Sequence, residues 1–486
     1  MKKQTIDLTE GKISAKLWAF AVPLMLGNIL QQLYNLADTW VVGKYVGDNA
    51  LAAVGSSYTL MTFLTSIIIG LSLGTGTFIS MAYGRKDGAM IRNGIFISSS
   101  MTGMITLIIT ALFYLFLDQI ISLLQVPQEL HADMKIYLAY VFAGFFASYI
   151  YNCISNIMRG MGNSAVPLIF LGMSVILNIA LDLIFVIFLD MAIKGAAIAT
   201  VISQYVSALG ILIWFICAYP EYRITKQDMK WNRESLRNIL SLSGFTCLQQ
   251  SVMNFGILMV QGIVNSFGTT VMAAFSVAVK IDTIAYMPVQ DFGNAFSVFT
   301  AQNYGAGKHD RIKEGIKQSL ISVALFCAVV STTVFLSAAK LMGFFVDAAN
   351  TETILIGANY LRIEGACYIG IGILFMLYGY YRAVNKPIMS VILTVISLGT
   401  RVILAKILSP IPIFGVTGIW AAIPIGWFLA DLFGIAHYIR HKSNHKYLHL
   451  SFLDEHSLFL IKAACAVIAL PDIQRHVITA LLLRIL

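Results

Sequence analysis

Apolar runs long enough to cross a bilayer recur along this chain from residue 16 to residue 438. A hydrocarbon core of about 30 Å takes roughly 20 helical residues, and helices meet the demand that every backbone polar group inside it be paired. Twelve runs can be drawn: 16–41, 52–80, 93–117, 136–157, 166–189, 193–219, 238–263, 272–300, 316–340, 355–378, 388–409 and 416–438. Only 12% of the residues are charged and 58% are apolar, about half the charged share of a soluble domain. The chain therefore reads as an all-α polytopic membrane protein with twelve transmembrane helices. The first run is not a cleavable leader, because it has no small-residue cleavage site and carries Pro23, Gln31, Gln32 and Asp38. The six cysteines stand singly inside apolar segments, as buried hydrophobes and not as a disulfide or metal framework.

Orientation follows from the basic residues. With the amino terminus cytoplasmic, cytoplasmic segments hold 22 Lys and Arg against five (Lys44, Lys135, Lys194, Lys340 and Lys406) on the other side. Both termini are then cytoplasmic, and the net charge of +9 is mostly this bias, with no nucleic-acid partner implied. The one long polar connection, "YPEYRITKQDMKWNRESLRN", falls midway. The expected organisation is an amino-terminal six-helix lobe (1–219), a cytoplasmic linker (220–237), a carboxyl-terminal six-helix lobe (238–440) and a cytoplasmic tail (441–486). In the tail, "SLFLIKAACAVIALP" is short for a span, and an interfacial helix is preferred there over a thirteenth span or an irregular end.

The two halves repeat. A shift of 221 residues lays "YVGDNALAAVG" (45–55) over "SFGTTVMAAFS" (266–276), and "YGRKDGAMIRNGI" (83–95) over "YGAGKHDRIKEGI" (304–316). A shift of 223 pairs Tyr137 with Tyr360, Arg159 with Arg382 and Gly195 with Gly418. Six spans separate equivalent positions, so the repeats are parallel, related by an axis along the membrane normal. Two such lobes facing across a cleft suit a rocking transporter better than a channel, whose filter would need a ring of carbonyls or charges.

Ionisable groups inside a span cost about 2.5 kcal/mol or more by insertion scales, so they are rare unless used. Asp182 lies deep in an apolar run with Asn178 at i−4 on the same face. Thr200 follows across a short turn at similar depth, and Asp38 must also point into protein or water. Carboxylates, an amide and a hydroxyl are hard oxygen ligands for a small cation, and a carboxylate in low dielectric can instead carry a proton. The repeat equivalents of Asp38 and Asp182 are Met259 and Ala405, so this acidic site belongs to the amino half alone. The carboxyl half has its own polar groups, with Gln31 of the first span joining Gln249, Asn254, Gln261, Asp291 and Glu364 as candidates for the substrate cleft. Arg362 or Arg401 could neutralise Asp291 or Glu364, and Lys280 with Asp282 is placed at the outer rim.

Taken together, "QQLYNLADTWVVGKYVGDNALAAVG", the second span ending in "YGRKDG", "RGMGNSAVP" (159–167), the Asn178–Asp182 stretch and "FTAQNYGAGK" (299–308) resemble the multidrug and toxic compound extrusion (MATE) family over about residues 13–440. The resemblance implies two six-helix lobes around a central cleft in a bacterial plasma membrane. It implies a secondary antiporter, not an enzyme and without a cofactor, that exports organic cations or other amphiphiles in exchange for H⁺ or Na⁺, as a monomer in the lipid bilayer. It assigns the coupling site to Asp38, Asn178, Asp182 and Thr200, which would be the metal ligands if Na⁺ is the ion, and places a tyrosine of the fourth span, Tyr137, beside them. The sodium-coupled branch carries further acids on the seventh and tenth spans, where this chain has Met253 or Asn254 and Ile371. That absence, and the mutual repulsion of two carboxylates in one apolar lobe, favours H⁺. The alternative within the superfamily is a flippase for lipid-linked precursors, which should line its cleft with several cations for phosphate.

Overall fold

A computed structural model describes residues 5–123 and 128–444 of the chain. In order, the helices are α1 (Ile13–Tyr45), α2 (Asp48–Gly84), α3 (Gly88–Leu115), a short α4 (Leu117–Leu123), α5 (His131–Ala143), α6 (Phe145–Gly160), α7 (Ala165–Asp182) and α8 (Ala192–Ala218). Then come α9 (Arg233–Asn265), α10 (Thr269–Gly305), α11 (His309–Gly343), α12 (Thr351–Gly365), α13 (Tyr368–Ala383), α14 (Pro387–Leu408) and α15 (Gly415–Asn444). Ten of these segments are long and apolar enough to cross a membrane by themselves. The pairs α5–α6 and α12–α13 supply two more, bent by 40° and 53°. The fourth and tenth spans, expected as single runs, are thus broken at equivalent points, and the fold is the twelve-helix one expected. The interfacial-helix expectation for the tail beyond residue 444 lies outside the described residues.

Local chemistry sets the helix ends. Asp87 accepts from Met90 N–H at 2.9 Å at the start of α3, and Asn232 accepts from the N–H groups of Glu234 and Ser235 at the start of α9. Gly47 and Gly268, 221 residues apart, open α2 and α10 with φ of 116° and 93°, a backbone that only glycine adopts without strain. The same local signal therefore makes the same turn in both halves.

We call the end of the bundle that carries Arg85, Lys86, Lys308 and Lys386 the basic end. The lobes meet along pseudo-equivalent seams: α1 lies on α10, α2 lies on α9, and α2 crosses α10. At the crossing the backbones touch. A Cβ on Gly84 would stand 1.9 Å from the Gln302 carbonyl oxygen, and one on its repeat partner Gly305 would stand 2.1 Å from that of Met81. In the α2–α9 seam, Gly70 and Gly74 face the backbone of Cys247 and Ser243 in the same manner, and Ser243 Oγ donates to the Leu71 carbonyl at 2.9 Å.

Residues 5–12 then strap the basic end shut. Ile6 N–H donates to the Gly162 carbonyl at 2.9 Å on the amino lobe. On the carboxyl lobe, Leu8 N–H donates to Gln302 Oε1 at 3.3 Å, while Asn303 Nδ2 and Arg311 Nε each donate to the Leu8 carbonyl at 3.2 Å. Lys308 Nζ reaches the Thr9 carbonyl at 2.9 Å. Leu8 itself is fully buried. Among the described residues, the hydrogen bonds between lobes all fall between this end and mid-depth, the deepest joining Asn28 to Asp291.

The connection between lobes is pinned to the amino lobe. Asp228 accepts from Arg92 Nε at 3.1 Å and from Thr225 N–H at 2.9 Å, and Trp231 packs edge-on against Phe96 with ring centroids 5.8 Å apart. The Thr225 hydroxyl first, then its N–H and the Arg92 guanidinium, hold the Asp228 carboxyl below its ordinary range. A lowered value means that the anchor is in place at neutral pH and is lost as pH falls through that value. Asp228→Ala should speed tryptic cleavage at Lys226 and Lys230 roughly fivefold, a local opening that leaves the helices folded. An unchanged cleavage rate would remove the anchor.

Candidate ion and substrate site

The amino lobe gathers four of the five expected coupling residues from three helices, and the fifth from a fourth. Asp38 comes from α1, Asn178 and Asp182 from one face of α7, Thr200 from α8 and Tyr137 from α5, all of them buried. The Asn178 amide satisfies both its polar atoms when Nδ2 donates to Asp182 Oδ2 at 3.0 Å and Oδ1 accepts from Thr200 N–H at 3.3 Å. Thr200 Oγ1 in turn accepts from the Tyr34 hydroxyl at 3.1 Å. Asp38 and Asp182 are close enough to repel, and Tyr137 lies within electrostatic reach of Asp38, Tyr34 and Asp182. One oxygen of each carboxyl, Asp38 Oδ1 and Asp182 Oδ1, is buried without a hydrogen-bond partner. Such orphaned acceptors fit a small cation or a proton.

Two parts of this site were not read from the sequence. Tyr34 stands at i−4 to Asp38, one turn away on the same face, and that spacing was the available signal. The second is a π-helical stretch, Leu183–Phe188, that begins directly after Asp182 and is seen in Leu189 N–H bonding the Ile184 carbonyl at 3.0 Å. A π turn widens the helix and often marks a functional position. Here it lies between Asp182 and the turn that leads to Thr200.

α1 divides into two faces. Val22, Leu26, Ile29, Leu33, Leu36 and Trp40 are exposed at helical spacing and form the apolar stripe suited to lipid. Gln31 and Thr39 are exposed, and Asn28 and Asn35 half-exposed, on a second face. Polar groups at this depth belong in a water-filled cleft and not against lipid.

The expected cleft residues separate. Gln31 is exposed on that face, and Asn254 is half-buried on α9. Gln261 bonds Asn265 Oδ1 at 2.8 Å near the end opposite the basic one. Gln249, Asp291 and Glu364 are buried and present no surface in this conformation. Asp282, expected at the outer rim, is instead 4% exposed inside the carboxyl lobe, where it accepts from the Tyr368 hydroxyl at 2.7 Å. Glu364, Tyr360 and Arg401 surround it. The reason is tertiary: α12 and α13 pack on α10, and Tyr368 at the start of α13 reaches Asp282, while Lys280, two residues before, turns outward. Arg362 is exposed, so Arg401 is the cation that attends this carboxyl pair. Asp291 meets Asn28. Met259 and Ala405, at the repeat positions of Asp38 and Asp182, leave the second lobe without a matching site.

The MatE family model matches residues 23–184 and 245–407, more than half of the chain and once in each repeat. The chain belongs to the MATE family. It is 28% identical over 394 residues to the probable multidrug resistance protein YpnP of Bacillus subtilis, an alignment spanning 80% of this chain and 87% of that protein. It is 26% identical over 411 residues to the multidrug export protein MepA of Staphylococcus aureus, spanning 83% and 88%. A solved outward-facing structure of a multidrug resistance MATE family transporter of the MOP superfamily superposes with a TM-score of 0.86 at 24% identity, covering 92% of this chain and all of that one. This MATE protein is therefore a multi-pass membrane protein of a multidrug efflux transporter family, and the family is one of transporters, not enzymes.

Proposed function

We propose that this MATE protein is a secondary antiporter that exports organic cations or other amphiphilic small molecules from a bacterium in exchange for an inward ion, with H⁺ preferred to Na⁺. The basic end is then cytoplasmic, as its excess of Lys and Arg favours. The observation that carries the reading is the pair of buried carboxyls, Asp38 and Asp182, each with an unpartnered oxygen, the first of them on the helix that also carries the exposed polar face. Uphill export requires ion and substrate to bias one equilibrium in opposite senses. α1 supplies the means, because Asp38 binds the ion while Gln31, Asn35 and Thr39 on the same helix meet the cleft. Ion uptake at Asp38 removes a charge from the amino-lobe wall and repacks α1, which weakens the hold on a cationic substrate.

The proton is preferred because several of the candidate oxygens are already engaged. Thr200 Oγ1 accepts from Tyr34 and Asn178 Oδ1 accepts from Thr200 N–H, which leaves mainly the two carboxyls. Sodium needs several oxygens at once, whereas one proton relieves the repulsion of the pair. Purified protein in sealed liposomes, given ΔpH and a Na⁺ gradient separately, tests this. Substrate movement is expected with ΔpH alone. Movement with Na⁺ at zero ΔpH and none with ΔpH alone would reverse the ion and keep the antiport, and movement with neither would end the antiport reading.

A further inference from the structure

One hydrogen bond at mid-depth joins the lobes through side chains alone. Asn28 Nδ2 on α1 donates to Asp291 Oδ1 on α10 at 2.6 Å, and Asp291 is 4% exposed. The other oxygen, Asp291 Oδ2, is buried without a partner, as is Arg159 Nε on α6 of the amino lobe, whose charge reaches Asp291. The repeat makes this pair conspicuous. A shift of 221 residues carries Gly70 to Asp291 and Asn28 to Gln249. In the α2–α9 seam the glycine lets backbones touch, with a Cβ on Gly70 only 2.5 Å from Cys247 Cα. The α1–α10 seam has exchanged that close packing for a polar pair. Each helix of the pair also carries a proline just before it, Pro23 in α1 and Pro288 in α10, so each lacks a backbone bond there and bends readily.

We infer that Asn28 and Asp291 are positioning residues that form a releasable tie between the lobes, and that ion occupancy at Asp38 reaches the carboxyl lobe through this tie. Asp38 and Asn28 sit on the same unbroken stretch of α1 above Pro23, about 15 Å apart at 1.5 Å per residue. A rotation of that stretch on ion uptake therefore moves Asn28 as a rigid body. A buried carboxylate held by a strong hydrogen bond resists separation, but its unpartnered oxygen and the nearby Arg159 give Asp291 a second cation-facing contact once Asn28 leaves. Arg159 is on α6 and not on α1, so α1 can turn away from α10 without stranding the Asp291 charge. The inference rests on the antiport reading for what Asp38 binds, but not for the tie itself.

The test uses full-length protein in nanodiscs with no gradient, so it does not depend on which ion drives transport. Spin labels at Arg85→Cys and Lys386→Cys, one on each lobe at the basic end, report their separation in a background without the native cysteines. Asn28→Ala and Asp291→Ala should each raise the population of the open arrangement about tenfold, the loss of one charge-assisted hydrogen bond. The double variant should go no further than either single one. The exchanged pair Asn28→Asp with Asp291→Asn keeps a donor and an acceptor in place and should restore the closed arrangement. It is also the working variant if an alanine protein fails to fold. Asp38→Asn, which mimics loss of the charge, should move the distance distribution in the native background and not in Asn28→Ala. Additive single effects, no recovery by the exchanged pair, or an Asp38→Asn response that is absent or the same in both backgrounds would overturn the tie.

Discussion

Asp182→Asn abolishes ion-driven export of a fluorescent cation such as ethidium while the protein stays folded and inserted. The loss expected is roughly 100-fold, the upper part of the range for a coupling free energy of about 1–3 kcal/mol. The substitution keeps the shape of the side chain. It therefore keeps the packing of a fully buried position and one hydrogen bond with Asn178, and it removes only the charge and the unpartnered acceptor. Because no buried charge is stranded, the melting temperature should match that of the native protein. Efflux from cells with matched expression, read beside melting of the purified protein, separates coupling from stability. Native export by the variant would take Asp182 out of the mechanism.

Gly84→Ala keeps the basic end from closing. With the backbones where they are, the added carbon would lie 1.9 Å from the carbonyl oxygen of Gln302. A backbone oxygen has no rotamer with which to retreat, so α2 and α10 must part by more than an ångström. Over-packing of this kind costs about 1–3 kcal/mol. Here it falls at a contact that the two-fold repeats as Gly305 against Met81, so Gly305→Ala should behave the same way. Export should be lost, and basic-end cysteine pairs across the lobes should cease to cross-link. Gly244→Ala, where nothing lies within 4 Å of the added carbon, serves as the neutral control. Equal activity in Gly84→Ala and Gly244→Ala would show that the closed crossing is dispensable.

How far the sequence could be read depends on whether the signal is local. Asn178 and Asp182 stand one turn apart in an otherwise apolar run, and a turn of helix is enough to place both on one face. Gly47 and Gly268 stand at matching places in the two aligned segments, and positive φ is a demand made by the residue's own backbone. The repeat reads directly because it compares the chain with itself. Tyr34 was missed because one tyrosine among 21 looks like a membrane anchor until Thr200 is brought beside it. The π-helical stretch Leu183–Phe188 has neither Pro nor Gly to announce it, so nothing in "LIFVIF" distinguishes it from an ordinary turn of helix. Asp282 was misplaced for a related reason. Its depth of burial is set by α12 and α13, whose packing on α10 no pattern within α10 encodes.

The strap at residues 5–12 has a consequence for biogenesis. Its partners on the carboxyl lobe lie 294 to 303 residues further along the chain. At about 5–20 residues per second, a ribosome takes roughly 15–60 s to supply them. During that interval Leu8, fully buried in the finished protein, has no carboxyl-lobe site to enter. Contacts of such separation form last, because the intervening loop must be closed before they contribute. Residues 5–12 are thus made long before their partners and are among the last to settle. The basic end cannot be fastened around a half-inserted bundle, because the fastening needs Gln302, Lys308 and Arg311, on α10, α11 and the turn between them, which leave the ribosome late.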